Sequence, residues 1–216
     1  MKILAIETSS IACSVALLNN GNVKERHEII PQQHAKRLLT FIEEMLDFPL
    51  HSLDFIAWGC GPGSFTGLRI AASVIQAISF AHSIPIVSVS SLAALAQTAY
   101  WQHGWRDLLV ALDARMQEVY WGYYHINQEG YAEIINKEII CRPLDIPVIS
   151  PGFGVGDGWS AYSMPFKPEA MDANCLPKAL AVAMLARLKY ERRECLQPFD
   201  ALPVYLREEN FYGATR

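Results

Sequence analysis

The chain has 216 residues, 51% of them hydrophobic and 19% charged, and a formal net charge of −4. That length and apolar content support one large domain or two small lobes with a real core, and exclude a disordered chain. The mild negative charge excludes a protein whose overall field would pull a polyanion onto its surface.

Residues 2–7 form an apolar run that ends in Glu7 and leads into the polar turn Thr8-Ser9-Ser10, the pattern of a strand and tight turn. Glu7 interrupts the apolar stretch and Lys2 is its only base, so this end reads as a strand and not a secretory signal. Residues 13–18 and 23–30 are two further strands around Asn19-Asn20-Gly21-Asn22, where Asn-Gly accepts the positive φ of a hairpin. From His34 the period changes. Ala35, Leu38, Leu39, Ile42, Met45 and Leu46 fall at helical spacing, with Lys36, Arg37, Glu43 and Glu44 outside. A buried strand follows at 53–58, then a glycine turn, a helix over 64–83, a strand at 85–89 and a helix capped by Ser90 or Ser91 and running toward Tyr100.

A second start appears about half a chain length later. Leu108-Leu109-Val110-Ala111-Leu112-Asp113 is again an apolar strand closed by a carboxylate, followed by a strand at 119–124 and the turn Asn127-Gln128-Glu129-Gly130. The repetition predicts a duplicated module, with residues 1–104 as a first lobe (β-β-β-α-β-α-β-α) and 105–216 as a second, reduced lobe. In that second lobe residues 143–158 are rich in proline and glycine, 148–150 is expected to be a short strand, and a C-terminal helix spans about 177–195. The five scattered cysteines contain no Cys-x-x-Cys pair and read as reduced thiols, and no stretch reads as a membrane span, so the expected location is the cytoplasm.

Gly61-Pro62-Gly63-Ser64-Phe65-Thr66-Gly67-Leu68-Arg69 joins a strand to a helix, where backbone N–H groups commonly cradle an anion. It lacks the Gly-Lys-Ser/Thr of a P-loop, and Pro62 breaks a dinucleotide fingerprint. The helix it launches has almost no polar face, so something must cover it on both sides. Periodicity alone does not choose between an intramolecular core and another subunit. Glu7 and Asp113 end corresponding strands, as carboxylates do in folds that clamp magnesium and phosphate between two lobes. With Thr8, Gly154, Gly156 and Asp157 they mark a candidate vestigial nucleotide site, though each carboxylate also reads as a plain polar strand end and glycine-rich loops are common. The six histidines show no His-x-x-x-His or His-Glu-x-x-His pair, so no helix-borne metal site is expected, and no nucleophile is set beside a base.

Ile3-Leu4-Ala5-Ile6-Glu7-Thr8-Ser9, Gln33-His34-Ala35, the glycine segment through Arg69, Ala111-Leu112-Asp113-Ala114-Arg115 and Pro203-Val204-Tyr205-Leu206-Arg207 together resemble the bacterial TsaB family along the whole chain. The resemblance implies the two-lobed α/β fold of actin, hexokinase and Hsp70-type ATPases, built on ribonuclease H-like lobes. It implies a non-catalytic role in making N6-threonylcarbamoyladenosine beside the anticodon of tRNAs that read codons beginning with A. The implied partners are a metal-bearing paralogue, TsaD, which transfers the threonylcarbamoyl group from its adenylate, and an ATPase, TsaE. ATP and metal are expected on those subunits, and tRNA is met through the complex. The implied pairing surface is the first-lobe helices, for which Phe65, Leu68, Arg69, Ala72, Gln76, Phe80, His34 and Leu38 are the candidates, and without the partner a homodimer is expected. The competing reading is a small kinase or ATPase of the same fold using Glu7, Asp113 and residues 152–158; a peptidase is a third.

Overall fold

The computed structural model describes residues 1–149 and 152–207. The chain opens with the antiparallel meander β1 (Lys2–Glu7), β2 (Ala12–Asn19) and β3 (Asn22–Ile29), turning at Asn20 and Gly21, both at positive φ. Helix α1 (His34–Met45) crosses to β4 (Phe55–Gly59), which lies parallel to β1, and α2 (Phe65–His82) crosses to β5 (Ile86–Val89), parallel to β4. The resulting sheet has the order β3-β2-β1-β4-β5.

Helix α3 (Ser91–His103) leads into the second sheet. Its strands are β6 (Asp107–Arg115), β7 (Glu118–Ile126), β8 (Ala132–Ile134), β9 (Ile139–Cys141), β10 (Phe153–Val155) and, beyond the single-turn helix α4 (Gly158–Ala161), β11 (Met171–Asp172). Their order is β11-β10-β6-β7-β8, with β9 also pairing β7. The antiparallel β6–β7 pair repeats β1–β2, the duplication expected from sequence. The expected strand at 148–150 is absent at 148 and 149, and Ser150 lies outside the described residues. A strand forms instead inside the glycine-rich stretch, where Phe153 to Val155 pair with Leu108 to Val110.

Strands β1, β2, β4 and β5 of the first sheet are buried on both faces, which explains their continuous apolar runs, while the edge strand β3 is largely exposed. Leu4, Ile6, Ile56 and Trp58 point to the side packed by α1 and α2; Ile3, Ala5, Phe55 and Ala57 point to the other side. That other side is covered by α5 (Ala179–Glu191), whose Ala179, Ala181, Ala183 and Ala186 are fully buried and let its backbone approach closely. First-lobe side chains also satisfy the start of α5, since Ala179 N donates to Ser14 Oγ and Leu180 N to Glu25 Oε1. The division at residue 104 is therefore corrected: the C-terminal helix, and the extended strap that follows it as far as Val204, pack on the first lobe. Helix α3 packs Leu92, Leu95 and Ala99 against Leu108, Val110 and Tyr124 of the second sheet.

Candidate functional site: the facing turns and the outer surface of α2

The glycine turn sits on the β1–β2 turn. Ser64 N donates to Ser9 O at 2.7 Å, Thr8 Oγ1 donates to Gly67 O at 2.9 Å, and Ser64 Oγ caps α2 by accepting from Gly67 N. A Cβ on Gly67 would lie 2.0 Å from Thr8 O, and one on Gly63 2.5 Å from Ser9 O, so glycine is needed here for contact between backbones. Glu7 is fully buried. Its carboxylate accepts from Ser9 N at 2.5 Å and from Ser91 Oγ at 3.0 Å, and Gly59 leaves the space it occupies. Burial pushes its pKa up, outweighing the hydrogen bonds from Ser9, Ser91 and Thr8 that act to lower it.

The corresponding turn of the second lobe is also occupied by its own chain. Asp113 accepts from Arg115 N, the Arg115 guanidinium and Tyr162 Oη, while Asp113 N donates to Asp157 Oδ1 at 2.8 Å. A Cβ on Gly156 would meet Ala111 O at 2.4 Å, and one on Gly154 would meet the Trp159 ring at 2.9 Å. Glu7, Thr8, Asp113 and Asp157, singled out for a nucleotide site, thus have hydrogen-bonding partners inside the fold, and Gly154 and Gly156 serve close packing. Among the described residues no three His, Cys, Asp or Glu side chains converge as metal ligands, and no helix is long and apolar enough to cross a membrane.

Sequence reasoning missed the strap that joins these places. After α5, Leu196 pairs with Ile86, and Gln76 Nε2 donates to Ala201 O. Further on, Val204 N donates to Cys60 O at 2.8 Å above the glycine turn, and the Arg207 guanidinium donates to Ala114 O and pairs with Glu118 at 2.7 Å. The run Pro203-Val204-Tyr205-Leu206-Arg207 was visible as a motif, but no local periodicity says where an extended segment docks.

The strap corrects the interface list. Leu38, His34, Leu68 and Ala72 are buried within the first lobe, His34 with its Nε2 on Ala12 O, so they form core and not a partner surface. Gln76 is half-buried under the strap. The outer face of α2 carries Thr66, Arg69, Ser73, Ala77 and Phe80, at steps of three and four residues, with Phe65 at its start. Phe65 is 54% exposed, Phe80 68% and the strap's Phe199 77%. Phe80 meets Phe199 edge-on at 5.8 Å, and Phe65 meets Tyr205 at 5.5 Å. Thr66, Arg69, Ser73 and Ala77 therefore lie between two aromatic ends.

Two lobes that share a β-β opening and pack across α3, the first with strand order 3-2-1-4-5, define a protein of the actin-like, ribonuclease H-like class with a reduced second lobe. A family model described as TsaD, tRNA N6-adenosine threonylcarbamoyltransferase, matches residues 24–143. The tRNA threonylcarbamoyladenosine biosynthesis protein TsaB of Haemophilus influenzae is 34% identical, over 97% of this chain and 94% of the relative. That of Escherichia coli K12 is 33% identical, over 96% and 95%. The solved structure of YeaZ from Pseudomonas aeruginosa is 43% identical and superposes with a TM-score of 0.91, covering 95% of this chain and 99% of that one. The chain belongs to the TsaB family.

Proposed function

We propose that this chain is the non-catalytic subunit of the assembly that transfers the threonylcarbamoyl group from threonylcarbamoyl-adenylate to N6 of the adenosine beside the anticodon in tRNAs reading codons that begin with A. It pairs with a metal-bearing TsaD-like paralogue through the outer face of α2 and the strap, and a TsaE-like ATPase joins them. ATP and metal belong to those subunits, and tRNA is met through the complex. The observation that carries this reading is the exposed α2 face, a row of Thr66, Arg69, Ser73 and Ala77 at helix spacing with large exposed rings at both ends. The internal hydrogen bonds of Glu7, Asp113 and Asp157 support a role without chemistry of its own.

Co-purification with the paralogue tests the pairing. Ala77→Glu places a charge at the centre of the exposed face and is expected to leave a folded chain that no longer retains the paralogue. Retention at the wild-type level would refute the surface.

A further inference from the structure

Arg69 is the only Lys, Arg, Asp or Glu on α2, and it stands on the exposed face. Its guanidinium lies 3.7 Å from the Phe65 ring centroid, and its Nε donates to Tyr205 Oη at 3.3 Å. Among the described residues it has no carboxylate partner, whereas Arg26, Arg115, Arg187 and Arg207 each have one. The two rings fix the side chain, so little rotamer freedom is left to lose on binding. When a partner covers the aromatic frame, the charge is removed from water and must be matched.

We infer that Arg69 is the specificity-determining residue of the pairing surface and receives a carboxylate from the face of the paralogue that docks on α2. This rests on the proposed pairing and adds the partner's chemistry to it. A second copy of this chain is a poorer complement. Two-fold self-pairing through this face would put a guanidinium on each side of the contact, and the only acid on residues 198–206 of the strap is Asp200, in the 3-10 turn at the Phe80 end. A protein carboxylate also suits the frame better than a phosphate backbone, because the groups around Arg69 are rings and small side chains and α2 carries no second Lys or Arg.

The test uses the full chain and the purified paralogue. Arg69→Met keeps an unbranched side chain beside Phe65 and removes the guanidinium with its charge. It should leave the melting temperature unchanged and weaken pairing by about 10- to 100-fold, the range expected for losing a charge-assisted hydrogen bond. Arg69→Lys should recover only part of that loss, since an ammonium cannot engage a carboxylate as a fork. Replacing acidic residues on the paralogue's docking face one at a time with the matching amide should identify one whose loss equals that of Arg69→Met and is not additive with it. If Arg69→Met pairs at wild-type strength while Ala77→Glu does not, this inference fails and the surface stands. If both pair normally, the surface itself fails. A loss matching that of Arg69→Met in Glu208→Gln/Glu209→Gln would overturn the inference by assigning the carboxylate to this chain, and the same loss in Asp200→Asn would do so too.

Discussion

The two lobes begin alike and end differently. Each opens with an apolar strand, a carboxylate and a tight turn, and each carries a glycine stretch that packs on the opening strand or the turn after it. In the first lobe the glycines launch α2, 18 residues long; in the second they launch α4, of four residues. The second sheet covers its outer face with Trp121, Trp159 and Phe166, whose rings meet at 5.8 to 6.4 Å, and with the loop around Ile146. One module thus yields a helix with a surplus surface, and the other a self-contained cap. An exposed helix face remains only where the helix is longer than its own lobe needs.

The comparison can be broken first inside the first lobe. Ala72→Glu buries a carboxylate in the core between α2 and the sheet, and it should prevent folding at a cost of several kcal/mol, unlike Ala77→Glu one turn on. Circular dichroism and solubility of the two variants separate core from surface. The second lobe's cap comes next. Trp159→Ala removes the ring between Trp121 and Phe166, and the indole N–H that donates to Leu109 O, and should cost about 3–5 kcal/mol in denaturant unfolding.

Glu7 gives a smaller effect with a definite pH sign. Its folded pKa is raised, so its contribution is fully present below the unfolded value of 4.5 and is lost as pH rises through the folded value. Glu7→Gln should therefore melt higher than the wild type at pH 7, with the difference disappearing below pH 4.5. A catalytic carboxylate would show lost activity instead. The smallest effect is at the strap: Arg207→Ala removes a half-exposed pair with Glu118 and should cost about 1 kcal/mol or less, read as faster hydrogen exchange in the β6–β7 turn.

Much of the fold was legible because its elements are locally encoded. The Asn-Gly hairpin, the Ser90 cap and the period of α1 all name their own structure. The duplication was visible in two strands ending in acids. What was not legible is where non-local segments dock. Ala179 to Ala186 reads simply as a helix, and nothing in it says that it returns across β1 and β4. The interface list erred for the same reason: with apolar residues on every side of α2, composition could not tell Ala72, under α1 and the sheet, from Ala77, facing solvent. Only the path of the strap and the position of the sheet separate them. Likewise, Glu7 and Asp113 were visible as strand-end acids, but their use by Ser9, Ser91, Arg115 and Tyr162 depends on contacts made after folding.

The most direct measurement is the N6-threonylcarbamoyladenosine content of tRNA in cells whose only copy of this chain is a variant. Ala77→Glu should abolish the modification, while Asp113→Asn, at the acid a nucleotide clamp would need, should leave it near the wild-type level. Full modification with Ala77→Glu, or its loss with a folded Asp113→Asn, would contradict the account.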